Sequence, residues 1–221
     1  MSNAIRLFIL GLFLFCKSAF ATEVAVKSDE ARLWANDKGH ELIEALGGND
    51  IIEKHSKLDR MLTEDVNLDY ISKFVIGKYA KKMNKEQKRR YSVLFERYVL
   101  SLYKQFNLQF DANNIAFSVD GIEEHPKFTV VKCSVDANDL IKNIEGVEIE
   151  RLPIEFKLIR GDKNKIQAVD VEISNVSMVI EYRKKFYQMI MEESEEMEWF
   201  LEKFEDKVIA NERAVKRITG L

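Results

Sequence analysis

Apolar and polar positions divide the chain into helical, then alternating, then helical stretches. Over residues 28 to 46, Leu33, Leu42, Ile43 and Leu46 supply apolar contacts, Ser28 stands where an N-cap belongs, and Gly47-Gly48 closes the segment. A second helix follows at once: Asp50 with Glu53 resembles a capping box, and Ile51, His55, Leu58 and Leu62 share one face. Asn67 opens a third, whose stripe is Ile71, Phe74, Val75 and Tyr79, with Gly77 expected inside it at some helical cost. The strongest helix starts at Asn84, with Gln87 as its box partner, and carries Tyr91, Leu94, Phe95, Tyr98, Val99, Leu102, Tyr103 and Phe106. So aromatic a stripe either fills a core or lines a cavity, and the pattern leaves both open.

After Asn107 the period drops from 3.6 to 2. Residues 114–119, 127–136, 147–159 and 165–173 alternate, with turn signals at Asp120-Gly121, Asn143 to Gly146 and Arg160-Gly161-Asp162. Four strands with short joins predict an antiparallel meander, and Pro153 marks the third as an edge or a bulge. Helical spacing returns with Val176, Val179, Ile180, Phe186, Tyr187 and Ile190, and again with Met197, Phe200, Leu201 and Phe204. Helices, one sheet, then helices define an α+β class.

The amino terminus changes the picture of where this fold resides. Arg6 precedes an apolar run from Leu7 to Phe15, shorter than the ~20 residues of a membrane-spanning helix. Ala19-Phe20-Ala21 supplies the small residues of a signal-peptidase site, so residues 1–21 are expected to be a cleaved signal and 22–221 one exported domain. The lone Arg6 keeps an uncleaved anchor as the alternative, while Phe15 before Cys16 is too bulky for a lipoprotein signal. Of 221 residues, 46% are hydrophobic and 32% charged, with only 9 Gly and 2 Pro, which excludes disordered and collagen-like chains. The formal charge of −3 drops to −5 when Arg6 and Lys17 leave with the signal, which argues against a nucleic-acid binder relying on a basic surface. Cys133, then the only thiol, sits in the alternating run Phe128 to Val135 and reads as a buried strand residue rather than a nucleophile.

Motifs for the common enzyme classes are missing: no Gly-rich phosphate loop, dinucleotide fingerprint, G-x-S-x-G elbow or H-E-x-x-H. His40 and Glu44 form an i, i+4 pair, a spacing that can hold a metal but more often holds none, and no metal is expected. The run Glu192-Glu193-Ser194-Glu195-Glu196 is either a solvated helix junction or a docking patch for a basic partner.

Two stretches resemble one family. Leu68 to Tyr79 (LDYISKFVIGKY), continued by Asn84 to Gln87 and Tyr91 to Phe95, is similar to the helical signature of the MlaC family, exported phospholipid-shuttle proteins also called toluene-tolerance proteins. Val169 to Val179, followed by Tyr182-Arg183 and Phe186, is similar to that family's last strand and the helix after it. The family pattern has Gly at Asn175, the next-best residue for a left-handed turn, and a Gly-Asp-Leu segment where this chain has Glu196-Met197-Glu198.

The resemblance implies a strongly curved sheet and helices enclosing an apolar cavity, with bound phospholipid as cargo, no cofactor and no reaction. At ~0.8 kcal/mol per CH₂, roughly thirty methylenes entering water bare cost on the order of 24 kcal/mol, so a shuttle must sheath them. The implied lining comes from the helices through Phe74, Val75, Tyr79, Phe95, Val99 and Tyr103. The last strand and its helix add Val169, Val171, Ile173, Met178 and Tyr182. Arg183 either contacts the lipid phosphate at the mouth or pairs with a carboxylate such as Asp170, and Asp69 shares that ambiguity. The implied partners are an outer-membrane lipoprotein complex and an inner-membrane ABC transporter with its periplasmic lipid-binding component, in a system maintaining outer-membrane lipid asymmetry. Such a shuttle would work in the periplasm as a monomer. Two rival readings are a lipid hydrolase using Ser177 or a carboxylate pair, and a lipid-free interaction module or chaperone with a filled core.

Overall fold

The computed structural model describes residues 24–105, 110–136, 151–161 and 164–220. The expected signal, Phe106, the turn at Asn143 to Gly146, residues 147–150 and Asp162 lie outside the described residues. The described elements run α1 (Ser28–Gly47), α2 (Ile51–Glu64), α3 (Leu68–Ile76), a 3-10 turn (Gly77–Lys82) and α4 (Lys85–Tyr103). After a short 3-10 turn (Ala112–Asn114) come β1 (Phe117–Glu124), β2 (Thr129–Asp136), β3 (Arg151–Arg160), β4 (Ile166–Ile173) and β5 (Val176–Ser177). Two helices close the chain, α5 (Met178–Glu192) and α6 (Met197–Thr219).

The helix starts follow local chemistry. Asn84 and Gln87 form the expected reciprocal capping box on α4, and Asn67 accepts a hydrogen bond from the Tyr70 amide at 2.9 Å to start α3. Asp50 caps α2 through the Ile52 and Glu53 amides. Ser28 does not cap α1: Lys27 holds that position, while the Ser28 amide and hydroxyl both donate to Glu124 at the end of β1. Leu33 is likewise not a core residue, being 64% exposed, because the first half of the face α1 buries is made of the small residues Ala31, Ala35 and Gly39, while Ile43 is buried further on as expected. Small residues let the helix axis approach the sheet so closely that a Cβ on Gly39 would sit 2.3 Å from the Phe117 ring. Gly77 ends α3 instead of lying within it, with φ +48° and ψ −122°.

The meander is antiparallel in the order β1-β2-β3-β4-β5, a curved open sheet of five strands where four are expected. The fifth has only two residues, too short for any period to show. It is reached by a tight turn in which Ser174 (φ 49°) and Asn175 (φ 64°) are both left-handed, the conformation Asn tolerates best. Asp120-Gly121 is a bulge within β1 rather than its end: Val119 pairs with Cys133 and Gly121 with Lys132, leaving Asp120 over. Pro153 stands on an interior strand, yet its missing donor costs nothing. Its carbonyl accepts from Ser174 at 3.0 Å beyond the last β3–β4 pair, so its nitrogen faces the β4–β5 turn and no ladder partner.

Apolar side chains collect into two separate main clusters. One lies among α3, α4, α5 and α6, and the other between α1 and one face of the sheet, and they share no residue.

Candidate functional site

The aromatic stripe of α4 meets α5 and α6. Phe186 and Phe204 cross edge to face at 4.8 Å, Phe200 and Phe204 stack at 5.8 Å and 9°, and Tyr98 and Phe95 close around them. The Tyr91 hydroxyl donates to the Ser72 carbonyl at 3.0 Å, and burial pushes its pKa well up. Val75, Phe95 and Val99 sit inside this packed interior, each under 5% exposed.

Strand β4 divides the remaining expected lining. Between Lys157↔Asp170 and Leu158↔Ala168 the register slips by one, and Val169 is the extra residue. Beyond that bulge, Val171 and Ile173 pair with Phe156 and Ile154 on the α1 side of the sheet, whereas Asp170 faces α5. Val169 therefore does not continue the Val171–Ile173 row. The helix α1 packs mainly on β1 and β2, so Leu152, Ile154, Val171 and Ile173 form a contiguous apolar patch at the β4 end that is only partly buried. Met178, at the start of α5, is partly buried against the helical cluster.

Asp170 does not pair with Arg183. It accepts from the Ser177 hydroxyl at 2.6 Å and from the Val179 amide at 3.2 Å, and Ser177 in turn accepts from the Ile180 amide at 3.1 Å. Both side chains are thus occupied in starting α5. Near them the Tyr182 and Tyr103 hydroxyls meet at 3.1 Å, and burial raises both pKa values, so both stay protonated. Cys133 is buried, and desolvation pushes its thiol up to about 12, away from nucleophile chemistry. His55 bonds the Lys104 carbonyl at 2.9 Å and His40 the Asn36 carbonyl at 2.8 Å, far in sequence from Ser177 and engaged elsewhere.

The two signature stretches, about a hundred residues apart, come together on the outside of α3 and α5. The Arg183 guanidinium lies 4.8 Å from the Phe74 ring centre and 5.1 Å from that of Tyr187, and donates to the Tyr187 hydroxyl at 3.0 Å. The same hydroxyl accepts from the Lys78 amide at 3.3 Å, while the Lys78 ammonium stands over the Tyr79 and Tyr187 rings at 4.9 and 5.7 Å. Tyr79 and Tyr187 cross edge to face at 4.9 Å. Gly77 makes the approach possible, since a Cβ there would fall 2.4 Å from the Tyr187 hydroxyl and 2.9 Å from Arg183 Nη2. Sequence reasoning singled out Phe74, Tyr79 and Arg183 but missed Gly77, Lys78 and Tyr187 as their neighbours. The signal was present: Gly77-Lys78 follows Phe74 within the first stretch, and Tyr187 lies one turn beyond Arg183.

The acidic run after α5 is partly structural. Glu195, left-handed at φ 61°, accepts from the Tyr79 hydroxyl at 3.1 Å and from Lys82, which ties the α5–α6 turn to the 3-10 segment and holds its carboxyl below the usual range. Asp69 pairs with Lys73 at 2.6 Å on an exposed turn of α3.

An aromatic helical core set beside a curved meander, with one sheet face half covered, defines an α+β protein with a partly exposed apolar surface. The family described as MlaC protein matches residues 42–206, and the chain belongs to that family of lipid-binding proteins. Among solved structures, the phospholipid-binding protein from Ralstonia solanacearum, determined in complex with a phospholipid, is similar with a TM-score of 0.63 and 12% identity. That match covers 82% of this chain and 98% of the other, and at this identity it establishes the shared fold. No curated protein matches the chain. Among the described residues no helix is long and apolar enough to cross a membrane.

Proposed function

We propose that this protein is a periplasmic phospholipid carrier that works without a chemical step. It exchanges lipid between an outer-membrane lipoprotein complex and an inner-membrane ABC transporter with its periplasmic lipid-binding component, and so helps maintain outer-membrane lipid asymmetry. The observation that carries this reading is the family match across residues 42–206, and the lipid-holding Ralstonia solanacearum neighbour of the same fold supports it. The acyl chains lie against the partly buried patch of Leu152, Ile154, Val171 and Ile173, where burying methylenes contributes about 0.8 kcal/mol each. Phe74, Tyr79 and Arg183 stand where a head group emerges.

The test is transfer of a fluorescent phospholipid from donor to acceptor vesicles. The protein accelerates it catalytically, and Val171→Trp, which fills the patch from a partly exposed strand position, slows it without unfolding the chain. A transfer rate equal to the protein-free rate contradicts the proposal, and hydrolysed lipid at the end of the incubation favours the hydrolase instead.

A further inference from the structure

The cluster on the outside of α3 and α5 is built like an anion site, with two cations that form no ion pair among the described residues. A guanidinium uses its faces for stacking and its edge for hydrogen bonds. The Phe74 and Tyr187 rings lie within stacking distance of Arg183, and only one of its five N–H groups is spent within the protein among the described residues, on the Tyr187 hydroxyl. No carboxylate forms an ion pair with Arg183 or Lys78 among the described residues, because the nearby acids are engaged by other cations. Asp69 is held by Lys73, Glu181 by Lys184, and Glu195 by Lys82 and the Tyr79 hydroxyl. Glu192 lies nine residues beyond Arg183 on α5, about 13 Å along the axis, where it accepts from Gln188. Beside the cluster an open groove runs along α5 past Lys184, Tyr187, Gln188 and the exposed Met191 to Glu192 at its far end, so the site is reachable from solvent.

From this geometry we propose that Arg183, Lys78 and the Tyr187 hydroxyl bind the phosphate of the cargo lipid, and that the carrier prefers phospholipids of net negative charge. The inference rests on the carrier reading and adds a substrate class to it. A phosphodiester places its two free oxygens against the edge of Arg183, and Lys78 neutralises the remaining field. A zwitterionic lipid brings an ammonium to within a few ångströms of the same phosphate. That ammonium meets Lys78 and Lys82, while the nearest acid, Glu195, is already held by Lys82 and the Tyr79 hydroxyl and Glu192 lies at the far end of the groove, so it is disfavoured. Gly77 is part of the construction, since any side chain there displaces both Tyr187 and Arg183.

Delipidated protein is incubated with vesicles containing equal amounts of phosphatidylglycerol and phosphatidylethanolamine with the same acyl chains, re-isolated and extracted. The expected loading ratio is about five to one in favour of phosphatidylglycerol, the discrimination of one partly exposed charge pair. Lys78→Gln, an exposed substitution that leaves the fold intact, brings the ratio close to one, and so does Arg183→Gln. Lys185→Gln, on the opposite flank of α5, leaves it unchanged. A wild-type protein loaded equally with both lipids, or a preference that survives Lys78→Gln and Arg183→Gln, overturns the site while leaving the carrier intact. Wild-type protein that takes up neither lipid overturns the carrier reading itself.

Discussion

Replacing Gly77 by Ala probes the junction on which both the fold and the head-group site depend. At φ +48° and ψ −122° an L-residue is strained by about 1–3 kcal/mol. Its Cβ would also stand 2.4 Å from the Tyr187 hydroxyl, which must move and give up its bonds to the Lys78 amide and Arg183, costing about 1 kcal/mol more. The lower entropy of the unfolded alanine chain offsets about 0.4–1 kcal/mol. The net loss is about 1–3.6 kcal/mol, and at about 2–4 °C per kcal/mol for a chain of this size the midpoint falls by about 2–14 °C. Urea and thermal unfolding followed by circular dichroism read both numbers. Two companions separate strain from crowding. Gly220→Ala, at φ +73° with nothing within 4 Å, suffers only the backbone cost of about 1 kcal/mol. Tyr187→Phe in the Gly77→Ala background removes the atom the methyl would strike, so the double variant loses less than the sum of its parts. A Gly77→Ala protein within about 0.5 kcal/mol of wild type refutes the placement of Tyr187 and Arg183 against this backbone.

Three further outcomes are expected. Phe186→Ala, which empties the centre of the aromatic cluster, destabilises by about 3–5 kcal/mol in urea unfolding; a loss under 1 kcal/mol contradicts the packed core. Cys133, with its thiol at about 12, resists alkylation at pH 8 in the native protein and reacts fully in denaturant, so rapid native labelling monitored by mass contradicts its burial. Lys38 joins Glu41 at 2.8 Å and Asp65 at 2.9 Å, and its hydrogen bond holds the Glu41 carboxyl below the ordinary range. That contribution is present above the unfolded glutamate value and disappears as pH falls through the lowered one. Lys38→Met therefore costs about 1 kcal/mol at pH 7, and the gap to wild type narrows by pH 3; a gap independent of pH in urea melts counts against the pairing.

Local signals in the sequence carried the helix starts and the strands. Asn67 and the Asn84–Gln87 box act within four residues, and alternation from Thr129 to Asp136 reports a strand buried on one face, so both are legible before any tertiary contact exists. What failed depends on partners far away in the chain. Ser28 gives its hydroxyl to Glu124, 96 residues on, instead of capping its own helix. The end of α3 at Gly77 is set by Tyr187 and Arg183, and no periodicity shows that. Alternation treats Val169, Val171 and Ile173 as one row, but the single bulged residue in β4 breaks it, because a one-residue slip exchanges the faces. Large apolar residues weigh most in a helical pattern, and so Leu33 was expected inside while Ala31, Ala35 and Gly39 make the contact. Of the site, Arg183 was legible as a cation in a family-like stretch, whereas its ring and amide neighbours become visible only when residues 74–79 and 183–187 are brought face to face.

The most direct measurement is native mass spectrometry of the protein purified from a periplasmic extract without detergent, followed by solvent extraction of the same sample. The account predicts a population heavier than the mature chain by the mass of one phospholipid, and that intact lipid in the extract. A single species at the bare polypeptide mass, with an extract free of phospholipid, contradicts it.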